Sequence, residues 1–365
     1  MGETVAVNNR TTHSHHSHHT LVDSLFRYAE FLKFGELHVK FDEATGLTAI
    51  IAIHNLKLGP ALGGCRLYAY KTADKAIEDA LRLAHMMSFK AAANHLKHGG
   101  AKAVLIKPKN FKELDHDAYF EKFGEFVDSL NGRYITAVDS GTNPQDMDII
   151  ARRTPYVSCT TALGGDPSPQ TAVGVRRGIE AAVQFKLGKA SVEGVHIAIQ
   201  GAGHVGYSLA KQLAERGARL TMCDVNTDAL QHCVDELGVA ICLPDAIYDL
   251  NADVFAPCAL GAVLNYDHIH RLRVPIVAGS ANNQLSHRHY GDLLHERGIL
   301  YAPDFVINAG GLIQATALYD HGDMKKSEQQ INGIYDTLLE IFERAAKENH
   351  STNEIAEKIA LQRLG

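Results

Sequence analysis

The sequence predicts an α/β protein of two domains, and three observations carry that expectation. The chain has 365 residues, more than the ~250–300 over which a single core keeps growing. Stretches of helical apolar periodicity alternate with short apolar runs along most of its length. That is the pattern of strands buried between helices. At Gly164-Gly165-Asp166-Pro167-Ser168-Pro169 the chain turns to turn-forming residues, and beyond it the rhythm changes, as at a domain boundary.

The composition narrows the function classes. Apolar residues make up 45% and charged residues 21%, which excludes a mainly disordered chain. With a net charge of −6 there is no broad basic face, so nucleic acid is not an expected partner. The longest clean apolar run, Leu47 to Ile53, falls far short of the ~20 residues a membrane helix needs. No apolar signal core precedes it. The six cysteines form no C-x-x-C pair and read as reduced thiols, so a cytoplasmic protein is expected.

Residues 1–20 stand apart as a tail, with His13, His15, His16, His18 and His19 crowded among Ser and Thr. A disordered tail or tag remnant and a metal-capturing tract are both readings of such composition. The lack of fixed geometry and of a neighbouring carboxylate or cysteine favours the first, and no metal is expected.

The first domain is expected over residues 21–153. Leu21, Leu25, Tyr28, Phe31 and Leu32 have helical spacing, and Gly35 ends the run. His38–Phe41 and Leu47–His54, joined by Glu43–Gly46, read as a hairpin. A glycine loop from Leu58 leads into a short strand at Cys65–Tyr70, and Ala73–Leu96 is a long helix with an apolar face. Ala103–Ile106 and Tyr134–Val138 read as strands, Glu113–Leu130 and Asn143–Arg153 as helices.

The second domain is expected over residues 170–325. It opens with a helix at Thr171–Phe185. Strands follow at Val195–Ile199, Arg219–Cys223, Val239–Cys242, Val254–Ala256 and Pro275–Ala278, with helices at His204–Arg216 and Thr227–Leu237. This rhythm predicts a parallel sheet covered on both faces. Two helices, Glu328–Glu348 and Thr352–Gln362, are expected to make up residues 326–365 and pack back.

The strand Val195–Ile199 runs through Gln200 into Gly201-Ala202-Gly203-His204-Val205-Gly206, and a helix follows. This is G-x-G-x-x-G in its strand–turn–helix context. Gly201 permits the tight turn, Gly203 lets backbone approach a pyrophosphate, and Gly206 lets helix and strand pack closely. The helix start at His204 and Val205 then offers free N–H groups and partial positive charge. Asp224 lies 23 residues beyond Gly201, at the end of the next strand. An acid there accepts both ribose hydroxyls and repels a 2′-phosphate, so NAD is expected rather than NADP.

The first domain carries a denser chemical signal. Lys90 lies near the end of the long helix, Lys102 follows Gly99-Gly100-Ala101 in an expected loop, and Asp139 ends a strand before Ser140-Gly141-Thr142. Lys90 can pair with a substrate carboxylate. Lys102, if buried near another cation, gives up its proton more readily and can act as a base. The flanking glycines would leave backbone room for a ligand. Asp139 can relay a proton. Taken singly, a lysine is more often a solvated surface residue.

Eight ordered stretches then carry a family resemblance: LGPALGGCR from Leu58, MSFKAAANHLKHGGAK from Met87, DSGT from Asp139, PSPQT from Pro167, QGAGHVG from Gln200, FAPCALGAVL from Phe255, AGSANNQL from Ala278 and VINAGG from Val306. From about Leu21 the chain resembles the glutamate/leucine/phenylalanine/valine dehydrogenases, and most of all the leucine branch. The resemblance implies a Rossmann-type nucleotide domain and a substrate-binding and oligomerisation domain. It implies that Lys90 holds the substrate α-carboxylate, Lys102 activates water and Asp139 moves a proton to and from the amine. It places Gly64 against the substrate and makes Leu62 and Ala137 walls of the side-chain pocket, with Ile331 as a further wall. Thr171, Asn283 and Asn308 would touch the nicotinamide, Asn308 also the substrate carboxylate, and Ala259 would line the cofactor groove. Cys65, Ser140 and His204 depart from the residues expected at their positions, without removing a chemical group.

The implied reaction is oxidative deamination. An L-amino acid gives hydride from Cα to NAD, water adds to the imine, and a 2-oxo acid and ammonium leave. A branched-chain substrate, leucine first, is expected from the apolar walls. An aromatic substrate and a catalytically idle NAD-binding homologue are the alternatives. Family members are multimers, commonly octamers in the leucine branch, so a homo-oligomer is expected.

Overall fold

The computed structural model describes residues 27–259 and 261–365. The histidine tract and the first turns of the helix expected from Leu21 lie outside them.

Two sheets organise the chain. In the first, β1 (Glu36–Asp42) and β2 (Leu47–Asn55) form the expected antiparallel hairpin, with Asp42 opposite Leu47. The Asp42 carboxylate accepts the Thr45 amide at 3.0 Å and its hydroxyl at 2.7 Å, closing the turn. β3 (Ala61–Tyr68), β4 (Gly99–Ile106) and β5 (Tyr134–Val138) complete a mixed sheet in the order β1-β2-β4-β3-β5. Alternation along β2 assigns its faces. Ile50 and Ala52 meet Ala76, Ala80, Leu81 and Ala84 of the long helix Ala73–Ala93. Ala49, Ile51 and Ile53 join the main core with Tyr119, Phe120 and Phe123 of the helix His116–Asp128.

Here two expectations need correction. The paired glycines of LGPALGGCR and of GGAK lie inside strands, not loops: Gly63 and Gly64 in β3, Gly99 and Gly100 at the start of β4, while Gly59 stays in the turn before β3. They are glycines because neighbouring backbone stands where a side chain would be. A Cβ at Gly63 would lie 1.7 Å from the Ala101 carbonyl oxygen, and one at Gly100 would lie 2.0 Å from the Ser88 nitrogen. One at Gly99 would meet the Asn55 oxygen at 1.9 Å. The room beside Lys102 is therefore filled by the protein itself, and Lys102 sits inside β4.

The second sheet is parallel throughout. β6 (His196–Gln200), β7 (Arg219–Cys223), β8 (Ala240–Ile241), β9 (Val254–Pro257), β10 (Ile276–Val277) and β11 (Leu300–Tyr301) run in the order β11-β10-β9-β6-β7-β8. From β6 the chain builds outward in one direction and then, from β9, in the other. The β6/β9 boundary is thus a topological switch point, where such sheets open a crevice at their carboxyl ends.

The C-terminal segment departs from expectation in two ways. The helix expected at Glu328–Glu348 is divided at Gly333 into Met324–Asn332 and Ile334–Glu348, because glycine supports a helix poorly. A helix at Gly310–His321 was not legible, since it is buried on all sides from Gly310 to Leu318 except at Gly311 and so lacks an amphipathic period. The helix Ile334–Glu348 packs on Ser168–Leu187, and the last, Thr352–Leu364, returns to pack on Ala73–Ala93. The C-terminal helices therefore join the two domains. Among the described residues no helix is long and apolar enough to cross a membrane.

Candidate active site

The carboxyl end of β5 and the start of the helix that follows β6 face one cleft of about 630 Å³. From the first domain, the expected residues Leu62, Gly64, Lys90, Lys102, Ala137 and Asp139 line it. From the second come Thr171, His204, Val205, Asn283 and Asn308. Positions far apart in sequence thus converge.

The charged centre rests on strands. Lys102 Nζ lies 2.6 Å from Asp139 Oδ2, and the lysine side chain is only 7% exposed. Gly64 lets β3 pass this pair closely: a Cβ there would lie 2.8 Å from the Asp139 Cβ and 2.7 Å from the Val138 oxygen. The DSGT turn holds the carboxylate in place. The Asp139 amide donates to Thr142 Oγ1 at 3.0 Å, while the Thr142 hydroxyl is 2.9 Å from the Cys65 oxygen and 3.0 Å from the Asp139 oxygen. At Gly141, with φ +84°, any Cβ would press on the Leu67 oxygen. Burial pushes the Asp139 carboxyl up, but the Lys102 and Arg66 cations overcome that and hold it down at about 2.

Arg66 is a residue that motif reading missed. Its Nε lies 3.1 Å from the same Asp139 oxygen, and its Nη1 lies 2.9 Å from Asp79 Oδ2. The arginine was legible as the last residue of LGPALGGCR, yet nothing local tied it to Asp139, 73 positions away.

Lys90 stands in the last turn of its helix and faces the cleft, with Nζ 3.4 Å from Asn282 Oδ1 across the domain boundary. Packing around it pushes its amine down to about 8, with Asp304 opposing that shift and Lys102 adding to it. The side chain stays only partly withdrawn from solvent, because its tip meets the open cleft. Asp304 was also missed. It is buried, accepts the Gln284 amide at 2.8 Å, and burial raises its carboxyl. Asn308 donates through Nδ2 to Asn282 Oδ1 at 2.9 Å and to the Ser280 oxygen at 3.2 Å. Its buried Oδ1 finds no partner among the described residues.

The apolar part of the cleft combines Leu62 and Ala137 with Leu312 and Ala315 of the helix Gly310–His321. The latter two follow Asn308 at helical spacing, a signal hidden by the missed helix. Ile331 is not a wall: it is fully buried in the main core and absent from the cleft lining.

The nucleotide turn has its expected form. Gly201 has φ +111°, and a Cβ on it would lie 3.0 Å from the Ala259 nitrogen, so Ala259 abuts the turn. One on Gly206 would lie 2.1 Å from the Gly201 oxygen. Gly203 caps the helix His204–Ala214 without a side-chain hydrogen bond and has open space beside it. Asp224 Oδ2 accepts the Ala202 amide at 2.6 Å, and Oδ1 the Asn226 amide at 2.7 Å. The uncapped helix start, the open side of Gly203 and the orphaned Asn308 oxygen fit an anionic dinucleotide with an amide-bearing ring.

Two family models match the chain in succession. Residues 33–156 match the family model described as Glu/Leu/Phe/Val dehydrogenase, dimerisation domain. Residues 235–361 match Glutamate/Leucine/Phenylalanine/Valine dehydrogenase. A leucine dehydrogenase of Thermoactinomyces intermedius is 45% identical over 344 residues, 93% of each chain. A phenylalanine dehydrogenase of Lysinibacillus sphaericus is 43% identical over 326 residues, covering 87% of this chain and 85% of the relative. The crystal structure of L-tryptophan dehydrogenase from Nostoc punctiforme superposes with a TM-score of 0.80 at 38% identity, covering 93% of this chain and 98% of that one. A cleft that joins a lysine–aspartate pair to the helix start behind a glycine turn, in a chain this similar over nearly its whole length, belongs to an amino-acid dehydrogenase of the glutamate/leucine/phenylalanine/valine family.

Proposed function

We propose that the protein catalyses the NAD-dependent oxidative deamination of a branched-chain L-amino acid, leucine first, to the 2-oxo acid and ammonium. One observation carries this reading: the Lys102–Asp139 pair and Lys90 share a single cleft with the apolar group Leu62, Ala137, Leu312 and Ala315. That cleft offers cations for a carboxylate, a proton-transfer pair for the amine, and an uncharged place for a side chain.

The residues divide the work. Lys90 pairs with the α-carboxylate, and Asn308 fixes its orientation. Gly201, Gly203, His204, Val205 and Gly206 hold the pyrophosphate on backbone N–H groups, and Asp224 takes the ribose hydroxyls. Thr171, Asn283 and Asn308 hold the nicotinamide amide, with Ala259 beside the groove. When bound, NAD supplies the acceptor for the hydride that leaves Cα. Lys102 takes a proton from water as it adds to the resulting imine carbon, and Asp139 carries protons to and from the amine nitrogen. Convergence of both domains on the cleft positions the substrate, and closing the cleft would exclude bulk water while keeping the reacting molecule.

The substrate follows from the pocket. A second carboxylate among Leu62, Ala137, Leu312 and Ala315 would be desolvated at a cost of several kcal/mol without a partner. An aromatic substrate is the second reading, supported by the small Ala137 and Ala315 and by the similarity to phenylalanine and tryptophan dehydrogenases. A homo-oligomer, an octamer by the resemblance, also belongs to this proposal. The edge strand β1 exposes Leu37, Val39 and Phe41 on alternate positions, a row suited to a second subunit.

The test is NADH formation with a panel of L-amino acids. Leucine, valine and isoleucine are expected to exceed phenylalanine and tryptophan in kcat/KM. A larger value for either aromatic overturns the substrate assignment, and no NADH from any amino acid overturns the activity.

A further inference from the structure

Two cations meet on one oxygen in the charged centre. Asp139 Oδ2 lies 2.6 Å from Lys102 Nζ and 3.1 Å from Arg66 Nε. The far end of the guanidinium is clamped: Arg66 Nη1 lies 2.9 Å from Asp79 Oδ2, which Tyr70 also reaches with its hydroxyl at 2.5 Å, while Arg82 lies 2.7 Å from Asp79 Oδ1. A relay of alternating charge therefore runs inward from Arg82 through Asp79 and Arg66 to Asp139 and Lys102.

This relay addresses a conflict in the site. A base lysine must lose its proton, yet an ammonium held against a full carboxylate keeps it, because an opposite charge at contact favours the charged form. We propose that Arg66 is a positioning residue for the reaction: by sharing the Asp139 oxygen it weakens the hold of that carboxylate on the Lys102 amine. The proposal rests on the reading of Lys102 as the base. Arg66 acts in two ways here. It draws on the carboxylate charge that would otherwise serve Lys102 alone, and it adds a fixed cation beside the lysine. Asp79 tempers that cation and sets the orientation of its planar fork, which a lysine in place of Arg66 would not reproduce.

The remaining groups around the pair do not duplicate this role. β3 also brings Cys65, a thiol that burial pushes up to about 12. β5 brings the buried Tyr134 phenol, likewise pushed up by burial. The long helix brings Lys90, whose amine contacts Asn282 instead. Asp304 on the opposite wall is held by the Gln284 and Phe305 amides.

The experiment compares pH profiles of kcat/KM for Arg66→Gln, Arg66→Lys and Asp79→Asn, with NAD affinity measured alongside. Arg66→Gln removes the cation, so the rising limb that reports the base is expected to move to higher pH by about one unit. Activity near neutral pH then falls about tenfold and returns at alkaline pH. Arg66→Lys keeps the charge and is expected to lie nearer the parent. Asp79→Asn leaves the guanidinium untempered, so its limb is expected to move the other way. Equal activity loss at every pH in Arg66→Gln, or a shift of both limbs in one direction, overturns the role. Should Arg66→Gln fail to fold, Asp79→Asn decides alone: a limb moved to lower pH supports the role, and one unmoved or moved up overturns it. Lys102→Ala separates the two levels of the argument. Parent-like turnover there removes the base reading and this inference with it; lost turnover with an unmoved limb in Arg66→Gln removes this inference alone.

Discussion

Gly203 of the second domain and the strand glycines of the first domain serve opposite purposes. In the nucleotide domain Gly203 stands at a turn with nothing near its missing side chain. Its absence of a Cβ leaves space for something outside the protein. In the first domain Gly63, Gly99 and Gly100 stand inside strands, where their missing side chains are replaced by the protein's own backbone. There the glycines let strands and the long helix approach closely, and the chemistry is carried by side chains on that tight frame. On the proposed function, one region binds with backbone and the other acts with side chains held by backbone.

The largest expected effect breaks the side-chain half alone. Lys102→Ala is expected to lower turnover by roughly 10³-fold or more, while NAD binding, followed by titration of the free enzyme, stays near the parent value. Turnover within tenfold of the parent would dismiss the base role.

The glycines themselves give the next test. Gly63→Ala forces a methyl to within 1.7 Å of the Ala101 oxygen, so destabilisation on the order of 3 kcal/mol, or failure to fold, is expected. Gly203→Ala meets nothing within 4 Å and is expected to unfold within about 1 kcal/mol of the parent. Its cost is in cofactor affinity, about tenfold, because the methyl occupies the approach to the helix start. Equal thermal stability of the two variants would erase the contrast.

A smaller effect belongs to Asp224. Replacing it by alanine removes a charge that opposes a 2′-phosphate, and the preference for NAD over NADP is expected to narrow by about tenfold. An unchanged ratio of kcat/KM for the two cofactors would show that another residue makes the choice.

The smallest effect concerns acid stability. Lys102 and Arg66 hold the Asp139 carboxyl at about 2, against an ordinary 3.8. A depressed carboxyl contributes stability that is complete above its ordinary value and is lost as pH falls through the folded value. The stability gap between the parent and Asp139→Asn is therefore expected to shrink from about pH 5 to about pH 2, by on the order of 1–2 kcal/mol. Chemical denaturation at a series of pH values reads it, and a gap independent of pH would mean that the pair is not ionised as described.

Much of this organisation is local and was legible in the chain. The hairpin, the parallel strands, the helix Thr227–Leu237 and the nucleotide turn follow from periodicity and turn chemistry that neighbouring residues set among themselves. The Gly201-to-Gly206 turn was readable because its spacing serves one strand–turn–helix unit, and Asp224 because it follows the next strand. The loops assigned around Gly63 and Gly100 failed for a complementary reason: glycine pairs signal turns locally, and only the partners Ala101, Asn55 and Ser88 turn them into strand residues.

What the tertiary structure alone decided is which side chains meet. Lys102 on β4, Asp139 after β5 and Arg66 on β3 share an oxygen because parallel pairing of β3 with both strands aligns Gly64 with Ala137 and Cys65 with Ala103. Leu312 and Ala315 line the same cleft as Leu62 because tertiary packing brings the helix Gly310–His321 to its wall. Residue types and spacing along the chain determine which groups are present and what local structure they favour. Register, burial and charge pairing between distant segments determine what those groups can do, since Coulomb and contact forces act over ångströms in space and not over positions in sequence.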